Sequence, residues 1–278
     1  MKRLILSVVV ILSGLSMMAQ GRVSTRRYIL ADFSDKITKV VLPGNDLLDG
    51  ALRQEVVAGW TLSPYEFCTP ADFERLKKSA DYYFLLAGAS QFKGEMAPSL
   101  VFLTLVKGGP GAGEGTSGMH EVISLPLCPA GMSTGRELIY LGSLVGAIQS
   151  FTEAAMSSEQ AAYLTERWFC RNLRKEGRAM PIWLSKDDIA HNPALYPDSG
   201  IHIVDEDDAD GHFLSGAPGT LCSYVVAPVN ASNGSWCYKM LFEAGTHRLF
   251  YLSHHKIADE KGPGFIDKDF RKIARARK

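Results

Sequence analysis

Residues 47–88 read LLDGALRQEVVAGWTLSPYEFCTPADFERLKKSADYYFLLAG. Leu48, Leu52 and Val56 fall four apart, which makes one apolar stripe of a helix over 47–58, closed by Gly59. Trp60 to Phe67 has strand composition, interrupted by Pro64. Thr69-Pro70-Ala71-Asp72 is a helix start: a capping hydroxyl, a proline in the first turn and an acid at the third position. A helix over 70–79 follows. Ala80 to Ala87 is a compact apolar run suited to a buried strand. Strand-length runs alternate here with capped helices, the order of a layered α/β fold.

Working outward, Tyr28–Phe33 is read as a strand before this stretch. Ser99–Lys107 and His120–Pro126 are read as a hairpin after it. These five strands are expected in one sheet, with helices 47–58 and 70–79 packed on it. Between the last two lies Gly108-Gly109-Pro110-Gly111-Ala112-Gly113-Glu114-Gly115-Thr116-Ser117-Gly118. A phosphate-binding loop would need a lysine and a hydroxyl leading into a helix. There is no lysine, so this is read as a flexible hairpin tip.

Thr134 with Glu137, and Ser157 with Gln160, have capping-box spacing. They open a helix to about Met156 and another to about Arg174. Gly142 and Gly146 suggest close packing of a further element on the first. Arg167, Arg171, Arg174 and Lys175 form the polar side of the second, a solvated face or the seat of an anionic partner. Beyond Gly177, prolines punctuate short strands at Ile182–Leu184, Ile201–Asp205 and Ser223–Ala227. Trp236–Glu243 and His247–His254 alternate as a half-buried hairpin, and Ile266–Ala276 is a final helix. The expected architecture is α/β to α+β. An amino-terminal sheet with two crossover helices and a hairpin leads through a helical pair to an antiparallel β region. The segments are 1–19, 20–132, 133–176 and 177–278, and no internal repeat is visible in the sequence.

The order of elements over 28–155 resembles the periplasmic domain of the TolB amino-terminal and curli-secretion-lipoprotein type. The lines that carry it are LRQEVVAGWTLSPYEF (52–67), ADYYFLLAG (80–88) and SLVFLTLVKGG (99–109). The resemblance implies a binding or assembly role in the envelope, without catalysis. The lipidated cysteine and pore-forming segments of the curli-secretion protein have no counterpart here.

Met1-Lys2-Arg3, then apolar Leu4–Met18, then Ala19 has the order of a secretory signal peptide. The apolar stretch is short of the roughly 20 residues a membrane span needs. Cleavage before Gln20 gives a periplasmic or secreted chain. No later apolar run is long enough for a transmembrane helix. The whole chain has 30 basic and 30 acidic residues, so no net field points to nucleic acid. Cys68, Cys128, Cys170, Cys222 and Cys237 are five, an odd number, so at least one stays free or pairs between chains. An oxidising compartment allows disulfides among the others.

Charge is polarised in the last third. Asp187–Tyr238 holds eight acids and no Lys or Arg, whereas Lys239–Lys278 holds ten basic residues and five acids. Asp205-Glu206-Asp207-Asp208-Ala209-Asp210-Gly211 has alternate oxygen ligands and a turn glycine, as calcium loops do. Glu206, Asp208 and Asp210 are then the candidate metal ligands. Ala217 stands where a bidentate Glu would close an EF-hand. A solvated acidic loop, or docking of that loop on the basic terminal helix, are the other readings. His254 and His255 point to opposite faces of a strand. No His-Glu-x-x-His, nucleophile-elbow or Cys/His signature surrounds the seven histidines or Cys222 and Cys237. No cofactor and no catalytic set is called for. The expectation is an exported envelope protein that binds or assembles with a protein partner. The alternative is a secreted hydrolase whose site one sequence does not reveal.

Overall fold

In the computed structural model, which describes residues 27–92, 95–164, 166–190 and 200–278, Asn45 starts the first helix. Its Oδ1 accepts from the backbone N–H groups of Leu47 and Leu48, both at 3.1 Å, and α1 runs Asp46–Gly59. Thr69 and Asp72 close a full capping box on α2 (Pro70–Leu76), which ends earlier than the expected 79. The signal-like residues 1–19 lie outside the described residues.

Five strands make the first sheet: β1 (Ile37–Val41), β2 (Tyr65–Cys68), β3 (Tyr82–Ser90), β4 (Leu100–Lys107) and β5 (His120–Pro129). Their order is β2-β1-β3-β4-β5, with β1 parallel to both neighbours and β3, β4 and β5 antiparallel. Four of the five expected strands are in it. The fifth expectation is corrected: Tyr28–Phe33 is not a strand. Two short 3-10 turns, Arg27–Leu30 and Phe33–Asp35, bury Leu30 and Phe33 in the core, and the next segment, Ile37–Val41, supplies the strand. Spacing three between Leu30 and Phe33 belongs to a turn of helix, not to a pleat. Likewise β2 begins only after Pro64, whose carbonyl accepts from Thr38 N–H at 2.8 Å.

The second sheet contains β6 (Ile182–Ser185), β7 (Ile201–Val204), β8 (Leu221–Val226), β9 (Trp236–Glu243) and β10 (Leu249–Lys256). Its antiparallel part, β8-β9-β10, was expected. Parallel pairing of β6 with both β7 and β8 was not. The order is β7-β6-β8-β9-β10. Numbered within its own unit, each sheet therefore runs second, first, third, fourth, fifth, three parallel strands and then an antiparallel meander. A repeat absent from the sequence is present in the topology. In each unit a helix carries the second strand to the third, α2 in one and α6 (Glu206–Leu214) in the other. A helix also follows each meander: α3 (Arg136–Ser157) and α7 (Asp267–Arg277).

The pleat sends alternate residues to different layers. Val41, Phe84 and Leu86 pack on Phe73 of α2 on the outer face of the first sheet. Tyr83 and Leu85 point the other way, into a central core with Leu52 and Val56 of α1, Leu141, Leu144 and Ile148 of α3, and Phe213 of α6. Tyr224, Tyr238 and Phe242 close that core from the second sheet. Ile182, Leu184, Leu241 and Phe250 face outward again, onto Phe270 and Ile273 of α7. The layers run helix, sheet, helix, sheet, helix. The hairpin β9-β10 is thus covered on both faces, not half-buried as its alternation suggests. Tyr224 ties the sheets directly by donating to Leu127 O, and Phe102 meets Tyr238 edge-on at 5.4 Å.

The capping boxes around α3 are corrected. Gly135, at φ +85°, stands at its start; Glu137 does accept from the Thr134 N–H (3.1 Å), half of the expected box, but the Thr134 hydroxyl donates to Glu137 (2.9 Å) instead of capping backbone. Ser157 ends α3. The Ser158 carbonyl, not the Ser157 hydroxyl, leads into α4 (Glu159–Leu164), and α5 (Glu166–Lys175) follows. Gly142 matches its expectation, since a Cβ there would lie 2.2 Å from the Glu55 carboxylate of α1, but Gly146 faces open space. α5 lies along β10, the last strand of its sheet. Asn172 Nδ2 donates to Leu249 O at 2.8 Å and Cys170 Sγ to Leu252 O at 3.5 Å. The glycine-rich 108–118 segment is folded back: Gly113 N–H donates to Ser117 O (2.7 Å), and Lys77 Nζ reaches Gly115 O (3.2 Å). Among the described residues no helix is long and apolar enough to cross a membrane.

Candidate functional site

β6 ends at Ser185, whose Oγ accepts from Asp187 N–H (3.2 Å) and starts a short 3-10 turn, Lys186–Asp188. That turn buries Asp188. β7 ends at Val204, and α6 begins beside it with Glu206 and, one turn later, Asp210 on the same side. From the central layer α3 opens with Arg136. The site therefore lies at the carboxyl ends of parallel strands, where open α/β sheets place ligands and charged machinery.

Arg136 is 6% exposed, and its guanidinium touches three carboxylates. Nε donates to Asp210 Oδ2 at 2.9 Å and Nη2 to Asp210 Oδ1 at 2.9 Å. Nη1 donates to Asp188 Oδ1 at 3.0 Å and lies 3.3 Å from Glu206 Oε2. Nη2 also donates to Ser223 O at 2.9 Å. The outer atoms are bound in turn. Ser223 Oγ donates to Asp188 Oδ2 (2.5 Å), and Tyr140 OH to Asp210 Oδ1 (3.0 Å). Tyr140 stacks on Tyr224 at 4.5 Å. One cation faces three anions. Burial pushes the Asp188 carboxyl above the usual range against the pull of Arg136, and burial does the same to Glu206. Burial opposes the Arg136 charge, but Asp188 and Asp210 outweigh it and hold the guanidinium protonated. Chemically this is a clamp that fixes α3 and α6 to the second sheet.

The acidic segment is accordingly corrected from loop to helix. Three acids, Glu206, Asp207 and Asp208, occupy the first turn of α6, where the helix dipole favours them. Of the candidate metal ligands, the helix turns Glu206 and Asp210 toward Arg136 and leaves Asp208 exposed on another side. Residues two apart on a helix do not converge, so the alternate spacing that suits a calcium loop loses its geometry. Asp210 is not solvated: it is 7% exposed. Among the described residues no group of three or more His, Cys, Asp or Glu could hold a metal ion. Arg136 and Asp188 carry no sequence motif. The order strand, then Ser-Lys-Asp-Asp, was the one faint signal.

A second buried network lies in the outer layer of the second sheet. Lys239, on β9 and fully buried, donates to Asp269 Oδ2 of α7 at 2.8 Å and to His255 Nδ1 at 2.8 Å. Tyr251 OH donates to Asp269 Oδ1 (2.7 Å). With Nδ1 accepting, His255 donates from Nε2 to Gly262 O (3.0 Å). Burial and the neighbouring Lys239 lower the His255 pKa. Burial works against the Asp269 charge, but Lys239 more than offsets it and the carboxyl is held below the usual range.

The remaining candidates separate. His254 points away from His255, as expected, and its Nδ1 meets Glu166 of α5. His202 and His212 stack on Trp183 at 4.5 and 3.6 Å. His191 lies outside the described residues. All five cysteines are free thiols. Burial pushes Cys68 and Cys237 up to about 11, and Cys128 and Cys222 up to about 12. Such thiols are poor nucleophiles at neutral pH. Compared with family models, curated proteins and solved structures, the chain matches none.

Proposed function

We propose that this chain is an exported envelope protein with a non-enzymatic binding or assembly role. The observation that carries this reading is the commitment of the two buried cations of the second sheet's networks, Arg136 and Lys239, to partners inside the fold. Arg136 spends its donors on Asp188, Asp210, Glu206 and a backbone carbonyl, and Lys239 spends its own on Asp269 and His255. Networks satisfied in this way hold layers together and leave no poised acid, base or nucleophile. Export is supported by the basic, apolar and small-residue order of 1–19, and the envelope role by the resemblance over 28–155. Intact-mass measurement on periplasmic material tests export: the expected chain begins at Gln20, and a mass that retains Met1–Ala19 overturns it.

One observation favours the alternative of a secreted hydrolase. His254 is partly exposed, and Glu166 holds one of its ring nitrogens, the arrangement that orients a general base. Turnover of chromogenic ester or peptide substrates that disappears in His254→Ala would replace the first reading with this one.

A further inference from the structure

Two basic stripes about a hundred residues apart in sequence become neighbours in the fold. On α5 and the turn after it, Arg167, Arg171, Arg174, Lys175 and Arg178 recur at helical spacing. On α7, Lys268, Arg271, Lys272 and Arg275 do the same. The opposite sides of both helices are buried, through Phe169 and Leu173 on α5 and Phe270 and Ile273 on α7. α7 packs beside α5 and its following turn, so the exposed sides adjoin.

Three of the four acids on α5, the turn after it and α7 are engaged elsewhere. Glu166 holds His254, Glu176 pairs with Arg248 at 2.6 Å, and Asp269 is buried on Lys239. Asp267 faces Arg271 at 3.9 Å. Arg167, Arg174, Lys175, Arg178, Lys268, Lys272 and Arg275 are exposed. The large apolar side chains exposed among the described residues lie on other elements, none of them on α5 or α7. A protein interface draws its energy from a few aromatic or apolar anchors ringed by polar groups. A broad cationic face without such an anchor matches a diffuse anionic plane instead. We propose that the joined α5–α7 face is a docking surface for an anionic phospholipid leaflet. This rests on the exported reading only for the choice of a membrane over a nucleic acid.

The test is co-sedimentation of the chain from Gln20 onward with phosphatidylcholine vesicles, with and without phosphatidylglycerol. Binding is expected only with phosphatidylglycerol and should weaken as salt rises. It should fall about fivefold for each cation removed, in Arg174→Gln/Lys175→Gln and equally in Lys268→Gln/Arg275→Gln, with unchanged melting curves. No binding at low salt, or binding indifferent to both pairs, overturns the proposal. So does binding to single-stranded DNA without binding to the vesicles. Lipid-independent self-association that the same substitutions dissolve also overturns it, because the acceptor is then the acidic start of α6 on a second copy. Failure of export with vesicle binding intact would sink the envelope reading and leave the surface standing.

Discussion

The two five-stranded units trace the same path and hold it by different means. In the first, buried polar groups are mostly hydroxyls matched across strands or onto a neighbouring loop: Thr38 with Ser63 and Thr104 with Ser124, both at 2.8 Å. In the second, buried hydroxyls such as Ser185, Ser223 and Ser253 stand beside buried charges: Asp188 and Asp210 around Arg136 of α3, and Lys239 with Asp269. Strand order follows from handed crossovers and meander connections, which both halves share. The chemistry inside the layers is free to differ. The second unit therefore stakes more on each buried group, since an orphaned charge costs far more than an orphaned hydroxyl.

That contrast can be broken by substitution. Arg136→Met should remove about 3–5 kcal/mol of stability by urea unfolding, because it leaves Asp188 and Asp210 buried without their cation. Lys239→Met should cost about as much, by orphaning Asp269. Thr104→Val in the first unit should cost about 1–3 kcal/mol, and Thr104→Val/Ser124→Ala together much less, since the pair then vanishes as a unit. If Thr104→Val costs as much as Arg136→Met, the distinction between the units fails. Thr69→Ala, which removes the cap of α2, should cost about 1 kcal/mol.

Acid titration gives the smallest effect and the sharpest sign. Glu206 has a raised carboxyl pKa, so the folded state binds its proton more tightly than the unfolded chain does. Its contribution therefore weakens as pH climbs from the ordinary 4.5 through the raised value. Glu206→Gln should gain on the wild type across that window and then stay level, read as the difference in urea midpoints. Asp269 has the opposite sign. Its pKa is lowered, so its contribution is present above the ordinary 3.8 and is lost as pH falls through the folded value. Burial raises Glu206, and Asp188 and Asp210, which share its one guanidinium, add to the rise, whereas Asp269 is buried with an ammonium and a tyrosine that more than offset the burial.

The sequence made most elements legible where the signal was local. Thr69 and Asp72 marked α2 through a cap, and the stripe of Leu52 and Val56 gave α1. The final helix expected over Ile266–Ala276 is α7, Asp267–Arg277. It misled where an element's identity depends on what covers it. Tyr28–Phe33 has strand composition, yet Leu30 and Phe33 plug the central core as turns. Asp205–Asp210 has loop composition, yet Asp210 is drawn inward by a guanidinium 74 positions earlier. No periodicity within a segment encodes a partner at that distance. For the same reason the repeated topology escapes the sequence, because pairing order is a relation between segments that share no motif.

The helix laid along β10 has a consequence of its own. The outermost strand of a sheet offers a row of unpaired backbone groups that can template the same strand of another molecule. Here Asn172 takes the Leu249 carbonyl and the Cys170 thiol takes that of Leu252, and α5 stands where an incoming strand would need to lie. Crowded copies of the chain are thereby kept from stacking into cross-strand fibrils along this border. A molecule that loses Asn172 should show it first as dye-binding aggregates on long storage, before any change in its melting curve.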